Sequence, residues 1–336
     1  MTDRRYAAFA GMGSALPDRV VSNVELMELV DTTDEWIRDR TGIAARRFVV
    51  DGQATSDLAT AAAESALAAS GIAREQVDLL MIATCTPDRP LPSTAVAVQA
   101  KLGIACPAFD INAACAGFSY ATSVAAGMIE SGAAETVLVV GAEVLSRKLN
   151  MADSTTCVLF GDGAGSAVMV PSAEAGVMAS TLAADGTLAD LLTIPAGGTE
   201  RPATPQEIAE AGDKIQMSSG REVYRRAVVA MTDACRELLD KAGVQADDVA
   251  LLVPHQANAR IMKTVADRLG FEADRVVSDI ESVGNTSAAS IPIAVDRAWR
   301  AGRIAPGDLV LMTSFGAGLT WGANLVRWTA SAPVAA

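Results

Sequence analysis

Residues 57–82, DLATAAAESALAASGIAREQVDLLMI, and residues 229–254, VAMTDACRELLDKAGVQADDVALLVP, are two copies of one pattern. Gly71 aligns with Gly243 and Leu79-Leu80 with Leu251-Leu252, at a constant offset of 172 residues and without a gap. Each copy reads as an amphipathic helix, a glycine that stops it, a short acidic linker and a buried strand. Working outward, AFDINAACAGF (108–118) corresponds to VVSDIESVGNTSAAS (276–290), and GMIESGAAETVLVVGAE (127–143) to RAWRAGRIAPGDLVLMTSFGAG (297–318). Each half is then a helix–strand–strand–helix–strand series with short connections. Strands that are apolar throughout need cover on both faces, so the expected fold is layered α/β, built from two duplicated halves at 1–175 and 176–336. Halves related by a pseudo-two-fold axis bring corresponding loops together, and those loops are where chemistry is expected.

The bulk composition agrees. With 336 residues, 50% of them hydrophobic but only 4% aromatic, the chain has enough Ala, Val, Leu and Ile for large layered cores. Its net charge of −13 repels phosphate backbones, which argues against nucleic acid as a partner. The N-terminal MTDRRYAAFAGMG lacks a signal-peptide pattern and no long apolar run is free of charge. A cytoplasmic protein without a membrane span is therefore expected. The five cysteines, at 85, 106, 115, 157 and 235, are odd in number and contain no CxxC pair. Neither a disulfide framework nor a metal site is expected from them.

Three side chains fall on strand-end loops of the two halves. Cys115 lies in DINAACAGFSYATSVAAGMI, where a strand ends, small residues turn the chain and a helix begins. A thiol there can be a small core residue, but a helix N-terminus with unpaired N–H groups also favours thiolate. His255, the single histidine, follows the strand LLVP in LLVPHQANARI. It reads as a structural histidine or as one that meets a catalytic group. Asn285 lies in ESVGNTSAASIP, in the loop that answers that of Cys115, and reads as a capping turn or as a hydrogen-bond donor to substrate. The convergence of all three favours a site. GDGAGSA (161–167) lacks the GxGxxG spacing of a nucleotide loop and reads as close backbone packing.

TTDEWIRDRTGI (32–43), AACAGF (113–118), LFGDGAGSA (159–167), PHQANARI (254–261), GNTSAASIP (284–292) and FGAGLTWG (315–322) occur in an order and spacing that resemble the ketoacyl-acyl carrier protein synthase III family of the thiolase superfamily, over essentially the whole chain. The resemblance implies a five-layered αβαβα thiolase-like fold in a homodimer. It implies that Cys115 takes an acyl group from acyl-coenzyme A. Malonyl-acyl carrier protein then loses CO2, and its carbanion attacks the acyl-cysteine to start a fatty-acid chain. His255 Nε2 and Asn285 Nδ2 would hold the enolate oxygen. The backbone N–H groups of Cys115 and Ala317 would form the second oxyanion hole, with Phe315 beside the thiol. No metal or redox cofactor is implied; coenzyme A enters only as the substrate's thioester.

The same resemblance implies coenzyme A contacts at Trp36 and Arg40. The arginine that commonly stacks on the adenine is replaced by Ser154, leaving Arg147 or Lys148 to substitute, or a carrier-bound donor as the alternative. Leu91 falls where the family sets the acyl-pocket length across the dimer. Being smaller than an aromatic residue, it implies tolerance of branched or longer primers. Arg225, Arg260 and Arg268 match positions where the family presents basic residues to the acidic carrier protein. A relative in polyketide metabolism that primes with, or transfers, a longer or branched acyl group is the nearest alternative. The order Cys, His, Asn also fits a cysteine hydrolase of papain type, but the C-G-[SA]-C-[WY] context is missing and the duplication is foreign to that fold.

Overall fold

A computed structural model describes residues 5–173 and 176–331. The boundary expected between 175 and 176 adjoins residues 174 and 175, which lie outside those described. The helix, glycine stop, linker and strand read from the sequence are present in both halves. Helix α2 (Thr55–Ser70) ends on Gly71 at φ 68° and helix α5 (Gly220–Ala242) ends on Gly243 at φ 65°. This left-handed conformation costs a glycine least. Single 3-10 turns follow at Arg74–Gln76 and Ala246–Asp248, themselves 172 residues apart, and lead into strands Leu79–Ala83 and Leu251–Pro254.

The first sheet contains β1 (Tyr6–Ala15), β2 (Leu79–Ala83), β3 (Ala108–Ile111), β4 (Val137–Glu143) and β5 (Gly163–Ser172), in the order β1-β5-β4-β2-β3. The second contains β6 (Val177–Ala184), β7 (Leu251–Pro254), β8 (Leu309–Gly316) and β9 (Thr320–Arg327), in the order β6-β9-β8-β7. A single parallel bridge between Leu252 and Val276 supplies a fifth position beside β7, the counterpart of β3. In both sheets the β2–β4 and β7–β8 pairs are parallel, while the remaining neighbours on the β1 and β6 side are antiparallel. Every residue of β2, β4, β7 and β8 is buried, as strands covered on both faces require.

Two helices fill the space between the sheets: α4 (Gly117–Glu130), which follows β3, and α7 (Ser290–Arg300), its counterpart. Their apolar residues, Phe118, Ala121, Ala125, Ile129, Ile291, Ala294 and Val295 among them, join the inner faces of both sheets in one core. Helices α2 and α3 (Thr94–Leu102) cover the outer face of the first sheet, and α5 and α6 (Ala259–Leu269) that of the second. Five layers result, αβαβα. The expected helix–strand–strand series is corrected by α3 and α6, each of which connects two parallel strands. Parallel neighbours need such a crossover, which a direct turn cannot make.

Candidate active site

Cys115 sits where the two halves meet. Strand β3 ends at Ile111, and a 3-10 turn at Ala114–Ala116 carries the cysteine into α4. Its counterpart is the turn Ser287–Ala289 before α7. The match is residue by residue. Ala114 and Ser287 both have positive φ, 45° and 50°, and their N–H groups donate to the side chains of Asn112 and Asn285 respectively. Asn285 therefore corresponds to Asn112, and Cys115 to Ala288. The two halves share the scaffold of the turn and differ in which reactive group it bears.

The site residues anticipated from the sequence divide into three sets. Trp36, Arg40, Cys115, His255, Asn285 and Phe315 line one cavity of 310 Å³, together with Ser154, Tyr224 and Asn258. Ala317 lines a second cavity of 510 Å³, which shares Cys115, Phe160 and Leu192 with the first and extends past Cys85, Leu145, Ile194 and Ile215. Leu91 lines neither cavity and is 85% exposed. Arg225, Arg260 and Arg268 also lie outside both, on α5 and α6, and the first two carry partners of their own. Arg225 pairs with Glu222, and Arg260 with Asp39 at 2.8 Å. Arg268 sits in the last turn of α6, about 12 Å along the axis from Arg260 at 1.5 Å per residue. Neither Arg147 nor Lys148 lines the mouth near Ser154, and the Arg147 guanidinium is turned to the carbonyl of Gln53 at 2.6 Å.

Around the sulfur, the backbone N–H groups of Cys115 and Ala317 both act as donors. Gly316 is what lets β8 come this close: a Cβ there would lie 2.6 Å from the Cys115 nitrogen. The Thr320 hydroxyl lies 2.8 Å from the carbonyl of Ala113 and 3.0 Å from that of Ala317, fixing the end of β8 against the cysteine turn. The GDGAGSA glycines pack as expected: a Cβ at Gly161 would meet the Val283 carbonyl at 2.5 Å, and one at Gly165 the Ile293 nitrogen at 2.6 Å.

The expectation of a resting thiolate is corrected. Burial pushes the Cys115 thiol up to about 11, and Glu143 adds to the rise; the Ser287 hydroxyl and the two backbone donors oppose it without prevailing. Glu143 was not anticipated. It ends the apolar strand VLVVGAE fully buried and accepts from the Thr86 hydroxyl at 2.6 Å, the Thr84 hydroxyl at 3.2 Å and the Cys85 backbone N–H at 3.2 Å. A carboxylate closing an otherwise apolar strand is the signal that could have found it.

His255 is 1% exposed, and burial pulls its imidazole down to about 3, so the ring is neutral. Its Nδ1 lies 2.6 Å from Ser290 Oγ, which also accepts from the Gln256 N–H at 3.4 Å. Ser290, at the start of α7, is a second residue that sequence reasoning missed, although GNTSAASIP contains it. With its oxygen already accepting from Gln256, the hydroxyl can donate to Nδ1, leaving the proton on Nε2. Asn285 Oδ1 accepts from the Ser287 N–H at 2.9 Å, so the turn-capping reading holds, and this bond leaves Nδ2 uncommitted.

The depressed histidine has a consequence for stability. Unfolded, His255 takes up a proton near pH 6.5; folded, it does so only near 3. Stability is therefore unaffected by this group above pH 6.5 and falls as pH drops from there toward 3. Between pH 7 and pH 5 the loss is roughly 2 kcal/mol. Urea unfolding at both pH values should show that extra loss in the wild type and not in His255→Gln. Equal losses in the two proteins would assign the effect elsewhere.

Comparison with known proteins adds identity to this geometry. Residues 109–186 match the family profile described as 3-Oxoacyl-[acyl-carrier-protein (ACP)] synthase III, and residues 239–328 match that of its C terminal part. The chain is 48% identical over 327 residues to the Beta-ketoacyl-[acyl-carrier-protein] synthase III of Roseiflexus castenholzii, covering 97% of this chain and 99% of that one. Among solved structures, it superposes on 3-oxoacyl-[acyl-carrier-protein] synthase III from Aquifex aeolicus with a TM-score of 0.88, at 44% identity, over 96% of this chain and all of that one. The priming beta-ketosynthase of the R1128 polyketide pathway superposes with a TM-score of 0.91 at 36% identity, over 99% of both chains. By likeness over nearly its full length, the chain belongs to the 3-oxoacyl-[acyl-carrier-protein] synthase III family.

Proposed function

We propose that Cys115 takes an acyl group from acyl-coenzyme A and passes it to the carbanion of malonyl-acyl carrier protein, the initiating condensation of fatty-acid synthesis. Membership of the family makes the chain a condensing acyltransferase. The observation that carries the residue assignment is that Cys115 from one half and His255 and Asn285 from the other line a single cavity. In the first step, Cys115 releases its proton to solvent, its thiolate sulfur attacks the thioester carbon, and the bond to the coenzyme A sulfur breaks, the departing thiolate taking up a proton from solvent. The tetrahedral oxyanion is held by the N–H groups of Cys115 and Ala317. In the second, the malonyl carboxylate leaves as CO2 and the enolate oxygen is held by His255 Nε2 and Asn285 Nδ2. The enolate carbon attacks the acyl-cysteine, and the cysteine sulfur leaves and regains a proton. Intact-protein mass spectrometry tests the sequence of events. The acyl mass should appear with acyl-coenzyme A, persist in buffer, and vanish on addition of malonyl-carrier protein. Rapid loss of the adduct in buffer alone would instead favour a hydrolase.

Trp36 and Arg40 are assigned to the coenzyme A end of the cavity. Arg40 stacks over Trp36 with its guanidinium carbon 6.0 Å from the ring centroid, and the indole is 44% exposed at the mouth. The second cavity is assigned to the acyl chain, since its walls are mainly aliphatic. Pairing of two copies through β3 fits this assignment. That strand is the edge of its sheet, Phe109 on it is 37% exposed, and a second copy would cover the exposed Leu91. With Leu91 closing the partner's acyl cavity, the enzyme should accept isobutyryl and hexanoyl as well as acetyl donors. Leu91→Phe should shift competition toward acetyl by about tenfold or more, as filling a hydrophobic pocket does. A strict acetyl preference in the wild type would refute the assignment.

Arg225 and Arg260 are assigned to carrier-protein docking. They neighbour Tyr224 and Ile261, which line the cavity, and an acidic partner can compete with the half-buried Glu222 and the exposed Asp39 for them. Reversing Arg260 to Glu should raise the KM for malonyl-carrier protein several-fold and leave acylation by a small thioester unchanged. Equal loss of both steps would count against the assignment.

A further inference from the structure

Arg46 is the largest charged side chain fully withdrawn from solvent, at 0% exposure in the short strand Ala45–Arg47. Among the described residues no carboxylate pairs with it. Its Nη1 donates to Asn23 Oδ1 at 2.8 Å and to the Val21 carbonyl at 3.3 Å, and its Nη2 donates to the Val158 carbonyl at 2.7 Å. Burial pulls its pKa down to about 10. A desolvated cation held by neutral acceptors alone is costly, and nothing in the packing of a core demands one.

What it holds lies in two directions. Val158 opens the segment that runs beside Asn285: the Asn285 N–H donates to the Leu159 carbonyl and the Gly161 N–H donates to the Asn285 carbonyl, both at 2.9 Å. The Arg46 stem lies against the same segment. A Cβ at Gly161 or at Gly284 would stand 3.1 Å from Arg46 Cβ, so both glycines yield their space to it. In the other direction, Asn23 Nδ2 donates to Asp34 Oδ1 at 2.7 Å and to the Ile43 carbonyl at 2.8 Å. Asp34 begins helix α1 (Asp34–Thr41), which bears Trp36 and Arg40. One guanidinium thus ties the helix at the cavity mouth to the backbone on which Asn285 is set.

We propose that Arg46 is a positioning residue for the condensation step, fixing the Val158–Gly161 backbone and through it the aim of Asn285 Nδ2 into the cavity. This rests on the reading above in which Asn285 stabilises the enolate. Arg46 donates no hydrogen bond to the Cys115 turn or to Ala317, so the acylation chemistry at saturating acyl-coenzyme A does not depend on it, and loosening of α1 is read separately in the KM for acyl-coenzyme A. A displacement of about 1 Å in a group that must meet a developing charge costs up to about 100-fold in rate, which sets the scale of the effect.

The test uses the full chain and separates the two half-reactions: acylation of Cys115 by acyl-coenzyme A, and release of CO2 from malonyl-carrier protein by the acylated enzyme. Arg46→Met, which keeps the stem and removes the donors, should acylate within about threefold of wild type and release CO2 roughly 30-fold more slowly. Arg46→Lys should recover part of that loss, and it carries the test if the Met variant does not fold. Combined with Asn285→Ala, the Met substitution should add no further loss to CO2 release. Equal slowing of both half-reactions, or losses that multiply in the double variant, overturns the proposal in favour of a merely structural role. A slow Asn285→Ala beside a normal Arg46→Met overturns this inference alone. A wild-type rate in Asn285→Ala overturns the enolate reading and the inference with it.

Discussion

Cys115→Ser should show no acyl mass after incubation with acyl-coenzyme A, and turnover should fall on the order of 10⁴-fold or more. The serine oxygen fits the same space and meets the same N–H groups of residues 115 and 317, so the loss isolates the nucleophile from the oxyanion hole. A hydroxyl is far harder to deprotonate than even this buried thiol, whose pKa stands at about 11. The high value also shapes the wild-type response. Acylation proceeds through the small thiolate fraction, so its rate should climb with pH across the neutral range without levelling. Peptide mapping should place the acyl group on Cys115 and not on Cys85, the other thiol lining the second cavity. Cys85 Sγ lies 3.3 Å from the Glu143 carboxylate, and burial together with that charge holds its pKa well above the ordinary thiol value. An adduct of undiminished amount in Cys115→Ser would sink the assignment.

Much of this could be read in the sequence, because it depends on local pattern. The glycine stops at 71 and 243, the buried strands after them and the offset of 172 are chain-level signals, and they led to the two-half fold. The convergence of Cys115, His255 and Asn285 followed from the duplication, since related halves bring corresponding strand ends together. What stayed hidden depends on tertiary packing. Helix α3, TAVAVQAKL, is too short and too apolar to show a clear helical stripe, so the pattern shows two successive strands without the crossover between them. Of the adjacent Arg46 and Arg47, nothing in the sequence says that the first is fully buried and the second is not. Ser290 sits 35 residues from His255, and only the docking of α7 against the end of β7 brings the hydroxyl to the ring. The Cys115 pKa reversed the sequence expectation for the same reason. A strand–turn–helix pattern reveals the helix dipole, whereas the burial that outweighs it comes from the opposite half.

His255→Ala should leave acylation of Cys115 within a few-fold of wild type and slow the condensation by about 10² to 10³, the scale of losing one preorganised oxyanion donor. The split follows from position: the donors that serve the acylation step are the backbone N–H groups at 115 and 317, while His255 and Asn285 face the opposite cavity. The pH dependence separates this role from that of a general base. A base with an ordinary histidine pKa near 6.5 would lose about 30-fold in activity between neutral pH and pH 5. Here the ring stays neutral to about pH 3, with Ser290 setting its tautomer, so the donor is present throughout. Single-turnover release of CO2 by enzyme already acylated at Cys115 should therefore stay flat from pH 8 to pH 5, with circular dichroism at each pH marking the range in which the protein is folded. Ser290→Ala should lower that plateau without tilting it, because the proton then divides between the two ring nitrogens. A sigmoidal fall with a midpoint near 6.5 in the wild type would mean that the imidazole exchanges its proton during the reaction, and the electrostatic role would have to be abandoned.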